Sequence, residues 1–346
     1  MTDTVSIGPV EIPIVQDSEG SFHIQVAMPN GGKPLTVQLD TGSNGLVVPA
    51  SFFYVDGVYV YNEATNTIVG NLLPGVTLGG PAVVKYQPSA DDIHGFHYTV
   101  TDLSVGLKDN EAVATAPTIS MIGAVIKTPH MCGIGFGRPV LGDNPFLAIK
   151  GMATGELYPS YLLTTKGIWL GCTPAQAATQ LGASAFGFQK LTYLGKGNAP
   201  KNSSQWSTPT GHFRVSNINP TDTTKYEILV DTGLDLSMVK MPVPDYETRI
   251  TAGSIVAVEL PVEPATVSVV YSYGITGTTR IELAGVETTV FTTESLAQDA
   301  VPPQYLLPRG EGHFVNTGFH LLNSYQLYFD ASVGQVGFAA YPAHPA

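Results

Sequence analysis

Two short stretches of this chain carry residues that could do chemistry together. The first is LTVQLDTGSNGLVVPA, residues 35 to 50, with Asp40 between two apolar runs. The second is YEILVDTGLDLSMV, residues 226 to 239, with Asp231 in the same setting. A lone carboxylate among apolar residues is costly and takes up a proton sooner than stay charged. Each aspartate therefore needs a partner or a task, and each is a candidate partner for the other. One Asp-Thr-Gly turn is weak evidence, because Asp and Gly serve the backbone of many turns. Two copies, each after an apolar strand and 191 positions apart in a chain of 346, carry more. If the fold brings the turns together, the two carboxylates share one proton, and one macroscopic pKa rises while the other falls. Such a pair acts as base and acid in one step. One carboxylate takes a proton from water while its protonated partner polarises a carbonyl. Gly42 and Gly233 permit a sharp turn and close backbone approach. Thr41 and Thr232 offer hydroxyls that can lock each turn to the other.

The elements that must position these turns read as strands. SFHIQVAMP and PLTVQL flank NGGK, a hairpin signal. FHYTVTDLSVG alternates as a strand does, and VIKTPHMCGIGFGRP is an apolar run broken by glycines. Helices are expected at NPFLAIKGM, with Asn144 as cap, and at TPAQAATQLG, with Thr173 as cap and Gly182 as the stop. The pattern then begins again, with paired strands in HFRVSNINP and KYEILVDTG, and a closing hairpin in YQLYFDASVGQVGFAAYP. Each half has a hairpin feeding an Asp-Thr-Gly turn and a later glycine-bearing apolar segment, GIGFG in the first and HFVNTGFHLL in the second. The architecture predicted is all-β and duplicated, with two β-rich lobes at residues 1–188 and 189–346.

Composition narrows the function. Hydrophobic residues are 43% and charged residues 13%, which excludes a disordered chain. Net charge is −12, and no run of Lys or Arg tracks phosphates, so nucleic acid is not an expected partner. An acidic surface favours solubility and neutral or basic ligands. No apolar run reaches the roughly 18 residues of a membrane span. The start, MTDTVSIGPVEIPIV, lacks the pattern of a signal peptide, so a cytoplasmic protein is expected. Cys132 and Cys172 lie in apolar settings and read as two buried thiols. His94 and His97 in HGFH suggest a metal pair, but no further ligand stands at suitable spacing, so neither metal nor organic cofactor is expected. GIGFG lacks the Lys-Ser/Thr of a phosphate loop, and GASAFGF is no nucleophile elbow.

The motifs resemble those of the pepsin-like, family A1 aspartic peptidases, in particular their bacterial relatives. LDTGSNGLVVP stands where the family has FDTGSSNLWVP, and VDTGLD where it has VDTGTS. Gly318 is followed by ten residues, then Phe329, Asp330 and ASVGQVGFA, as near the end of the family's chains. The resemblance spans most of the chain. It implies a bilobal fold with the active site in the cleft between the lobes, Asp40 and Asp231 as the catalytic pair, and a monomeric endopeptidase acting on peptides or proteins. Ser43 matches the serine that supports the first aspartate, and Thr41 and Thr232 match the threonines that tie the loops. Tyr86, 46 positions after Asp40, matches the flap tyrosine over the cleft.

Several positions depart from the family pattern. Val47 replaces a tryptophan that buttresses the flap tyrosine. QPSA, residues 87 to 90, replaces the flap-tip glycines, which predicts a restricted flap and slow, selective cleavage. The familiar disulfides and basic pro-segment have no counterpart. Leu234 stands where a hydroxyl usually donates to the second aspartate. Its loss predicts that Asp231 holds its proton to higher pH, with Asp40 the charged member and a mildly acidic optimum. Two other readings stay open at this point. One is a pepsin-fold enzyme doing acid–base chemistry on a small molecule; the other is a peptide-binding module without turnover, which would gain little from two mutually repelling acids.

Overall fold

The structure is a computed structural model. It describes residues 8–17, 20–29, 33–86, 91–126, 129–138, 141–180, 186–200, 202–283, 285–296 and 301–341. Strands hold 52% of residues and helices 8%, so the protein is all-β.

In the first half, β1 (Val10–Pro13), β2 (Val15–Gln16), β3 (Phe22–Ala27), β4 (Leu35–Asp40) and β5 (Asn44–Pro49) lead into the first Asp-Thr-Gly loop and out of it. A two-stranded hairpin follows, β6 (Tyr54–Asn62) and β7 (Thr67–Leu72). Then come β8 (Val76–Val84), the long β9 (Ile93–Lys108) and β10 (Glu111–Ala124), β11 (Met131–Ile134), helix α1 (Lys150–Thr154), β12 (Ser160–Leu163), β13 (Gly167–Leu170) and helix α2 (Pro174–Gln180). The second half runs β14 (Gly187–Lys190), β15 (Thr210–Val215), β16 (Tyr226–Leu229), β17 (Ser237–Lys240), helix α3 (Tyr246–Arg249), β18 (Ile255–Leu260), β19 (Val269–Leu283), β20 (Val286–Ser295), β21 (Tyr305–Pro308) and β22 (Phe314–Asn316). It ends with helix α4 (His320–Ser324), β23 (Tyr325–Asp330) and β24 (Gln335–Ala340).

The duplication read from the sequence is present in the sheets. The first half forms an eight-stranded sheet ordered β2-β3-β4-β11-β5-β10-β9-β8. The second half forms a closed barrel ordered β15-β16-β22-β17-β21-β20-β19-β18. Four strands around each Asp-Thr-Gly loop correspond one to one. In the first half β11 lies parallel to β4 and antiparallel to β5, and β5 runs parallel to β10. In the second, β22 lies parallel to β16 and antiparallel to β17, and β17 runs parallel to β21. Each Asp-Thr-Gly loop thus joins two strands that are held apart by a third, inserted from far along the chain. A loop pinned on both sides by a buried strand has few ways to move.

A third sheet, β1-β13-β12-β23-β24-β14, draws strands from both halves. The closing hairpin β23–β24 is here, in register from Tyr325↔Ala340 to Asp330↔Gln335. Residues 188 and 189, where the division between halves is expected, lie inside β14, in this shared sheet.

The two expected helices fared differently. Helix α2 has its cap: Thr173 Oγ1 accepts the N–H of Gln176, and Gln176 Oε1 accepts the N–H of Thr173, a reciprocal capping box. Gly182 lies outside the described residues. The helix expected over 144–152 is instead a turn followed by the short α1. Asn144 Oδ1 does accept the N–H groups of Phe146 and Leu147, at 3.1 and 3.3 Å. But Ile149 is extended, and Phe146, Leu147 and Ile149 are all buried. Burial in the core overrides the local cap signal.

Candidate active site

The two Asp-Thr-Gly loops meet, and they are tied by reciprocal hydrogen bonds. The Thr41 N–H donates to Thr232 Oγ1 at 3.0 Å, and the Thr232 N–H donates to Thr41 Oγ1 at 3.0 Å. Each threonine hydroxyl then donates onward across the pair, Thr41 to the Val230 carbonyl and Thr232 to the Leu39 carbonyl. Both threonines are buried, at 2% and 1% exposure, so these bonds have no water to compete with them. The glycines show how tightly the loops approach. A Cβ added to Gly42 would sit 2.5 Å from the Asp231 carboxyl carbon, and one added to Gly233 would sit 2.8 Å from Asp40 Oδ1. No other residue type fits at either place without moving a carboxylate.

Asp40 and Asp231 are exposed by only 3% and 9%. Asp40 accepts the Gly42 N–H at 2.7 Å and the Ser43 hydroxyl. Asp231 accepts the Gly233 N–H at 3.1 Å. Its second support was not expected: Asn316 Nδ2 donates to Asp231 Oδ2 at 2.6 Å. Asn316 is itself buried and held by the Gly318 N–H, which donates to its Oδ1 at 2.9 Å.

This corrects the expectation built on Leu234. Leucine stands at the place of a donor, but Asp231 is not left without one. The two halves use different strands for the same task. Ser43 and Leu234 each follow their aspartate by three positions, and only Ser43 can donate. Met131 pairs with Gln38, two positions before Asp40, and Asn316 pairs with Leu229, two positions before Asp231. Of those two, only Asn316 can donate. The hydroxyl missing from the second loop is replaced by an amide on the inserted strand.

Asp40 is held well above the usual carboxylate range, first by burial and then by the charge of Asp231 beside it, against the opposing Ser43 and Gly42 bonds. Asp231 stands beside it with the Asn316 amide at its back.

Asn316→Leu should move the acidic limb of the pH–rate profile upward. A hydrogen bond to a charged group is worth roughly 1.5–3 kcal/mol, or about one to two pH units before relaxation. A limb that stays in place in a folded variant would mean that the amide does not hold the working charge.

Tyr86 follows β8 and lines the same pocket as Asp40 and Asp231. Its hydroxyl is buried beside Ser43 without a hydrogen bond of regular geometry, and burial together with the Asp40 charge holds it firmly protonated. Val47 belongs to the apolar cluster that Tyr86 packs against, so a smaller side chain fills the buttress position. Residues 87 to 90, where the flap tip is expected, lie outside the described residues.

Arg138, just after β11, was not singled out from the sequence. It lines the pocket, donates to Thr208 Oγ1, and keeps a buried Nε without a partner among the described residues. Its charge faces Glu227, Asp231 and Asp40. The pocket has a volume of about 640 Å³ and is lined by residues from both halves of the chain, among them Gln38, Ser43, Leu229 and Met238.

Cys132 and Cys172 are both buried and unbonded, and burial raises both thiols, Cys172 to about 12. Among the described residues no group of three His, Cys, Asp or Glu side chains is placed to hold a metal ion. Nor, among them, is any helix long and apolar enough to cross a membrane.

Compared with known proteins, the chain matches no family model and no curated sequence.

Proposed function

We propose that this protein is an aspartic endopeptidase with a bilobal, pepsin-like arrangement, cleaving peptide bonds with water activated between Asp40 and Asp231. The observation that carries this reading is the cross-tied pair of loops, which holds two buried carboxylates against each other at the floor of an open cleft. A structural role would not require two repelling acids in so dry a place.

We assign the shared proton to Asp40, because burial favours the neutral form of its carboxyl. Asp40 donates its proton to the substrate carbonyl oxygen. Asp231 takes a proton from the water, whose oxygen attacks the carbonyl carbon, giving a neutral tetrahedral diol. Asp231 then passes its proton to the amide nitrogen, the C–N bond breaks, and one diol hydroxyl returns its proton to Asp40. The products are an acid and an amine, and the pair is restored. The protein's own contribution is to fix the two oxygens with Gly42, Ser43, Gly233 and Asn316, so that little reorganisation accompanies the reaction. An extended peptide lies in the cleft with Tyr86 over it. The free, buried thiols and acidic surface suit a cytoplasmic monomer, and the chemistry calls for no cofactor.

A peptide carrying a statine-type hydroxyl in place of the scissile carbonyl should inhibit competitively and raise the melting temperature. Both effects should vanish in Asp40→Asn/Asp231→Asn. Tight binding that survives the double substitution would place the ligand elsewhere and count against this reading.

A further inference from the structure

A cation stands near the aspartate pair and has no part in the proposed steps. Gly133 pairs with Asp40, and the chain then runs through GIGFG, residues 133 to 137, to Arg138. The glycines let this segment press against the first Asp-Thr-Gly loop on one side and the second half on the other. A Cβ on Gly133 would sit 2.7 Å from Ser43 Oγ, and one on Gly137 would sit 2.6 Å from the Trp206 carbonyl oxygen. Between them, the Gly135 N–H donates to the Ser43 carbonyl at 2.7 Å. The segment so held delivers the Arg138 side chain to the pocket that Asp40 and Asp231 line, where its guanidinium donates to the buried Thr208 Oγ1.

This guanidinium is partly stripped of water, since its Nε is buried and has no partner among the described residues. Burial works against its charge, and three carboxylates work for it: Glu227 first, then Asp231 and Asp40. Glu227 is exposed, so salt and water screen its pull, whereas the two aspartates are buried and screened far less. Attraction is mutual, so Arg138 also favours the charged form of the pair. At Asp40, burial and the Asp231 charge outweigh it. Other titratable groups at the pocket do not supply the same field. Tyr86 and Cys132 face Asp40, but both are held protonated and neutral. Lys85, Lys240 and Arg309 line the pocket, but all three are exposed; Lys85 pairs with Asp92 at 3.0 Å, and Arg309 is engaged elsewhere within the protein.

We propose that Arg138 is a positioning residue that supplies the counter-charge of the working aspartate pair. A pair holding one proton carries one negative charge, and Arg138 cancels it within the same pocket. A pair holding two protons leaves the half-buried cation without that compensation. Arg138 therefore lowers both macroscopic steps of the pair, and the singly protonated form is reached at lower pH than burial alone allows. The inference rests on the peptidase reading for its meaning in catalysis, but not for its measurement.

The titration of the pair is read from the carboxyl carbons of protein labelled with ¹³C-aspartate. The two signals are identified by their absence in Asp40→Asn and Asp231→Asn. Arg138→Met should raise both apparent steps by roughly half a unit to one unit. Arg138→Gln should do the same, although glutamine can still donate to Thr208. Arg138→Lys should restore most of the wild-type titration, because it keeps the charge and loses only the planar fork. The pH profile of kcat/KM should move upward with the titration, and the shift should survive high salt. Lys85→Met, which removes an exposed cation, should give a smaller shift that salt abolishes. A titration that stays in place in folded Arg138→Met would overturn the inference. So would equal shifts in Arg138→Lys and Arg138→Gln, which would leave Arg138 a tie to Thr208 alone; this comparison decides even if Arg138→Met does not fold. If no peptide is cleaved at any pH, the peptidase reading falls, and the titration still decides on Arg138.

Discussion

Asp40→Asn and Asp231→Asn are each expected to reduce peptide hydrolysis by about a thousandfold or more, and the double variant to be hardly worse. On the proposed mechanism the two carboxylates share one proton, so removing either destroys the unit. Simple addition of two large losses would mean that they act separately. The same variants carry a second readout. The folded-state pKa of Asp40 is raised above its unfolded value. Between those two values the folded state binds more protons than the unfolded state, so stability falls as pH rises through this window and stays low above it. Asp40→Asn removes the charge and keeps an oxygen to accept from Gly42 and Ser43. It should melt higher than wild type at neutral pH, with the advantage shrinking toward the usual carboxylate pKa. An equal or lower melting temperature at neutral pH would contradict the placement of the proton.

Thr232→Val is expected to be the most damaging conservative change in the core of the site. Valine keeps the shape but leaves the buried Thr41 N–H without its acceptor and the Leu39 carbonyl without its donor. Each unpaired buried group costs about 1–3 kcal/mol, so the loss should be roughly 2–5 kcal/mol by chemical denaturation. Thr41→Val should behave alike, because Thr41 Oγ1 receives the Thr232 N–H and donates to the Val230 carbonyl. The double variant should lose less than the two singles combined, since both break one network. A single loss well under 1 kcal/mol would show that the loops are held mainly by the inserted strands β11 and β22.

These expectations separate what local sequence can carry from what it cannot. The all-β class was legible because alternation and turn residues are local signals. Asp40, Asp231 and the threonines were legible because each motif brings its own acid, hydroxyl and glycine within three residues. Asn316 was visible within HFVNTGFHLL but not interpretable. Its bond to Asp231 spans 85 positions and depends on which residue of β22 faces Leu229. The premise that Leu234 leaves Asp231 without a donor failed for that reason: a missing neighbour in sequence was replaced by one supplied through register. The helix expected at Asn144 failed because its cap is real but its apolar residues are needed in the core.

The central claim is that Asp40 and Asp231 together deliver water to a peptide carbonyl. Its most direct measurement is digestion of a mixed peptide library in ¹⁸O-labelled water across a range of pH, followed by mass spectrometry of the products. Wild type should produce a narrow set of cleavages, each with one ¹⁸O in the new terminal carboxylate, and Asp231→Asn should produce none. An uncut library at every pH, or the same labelled products from folded Asp231→Asn, would contradict it.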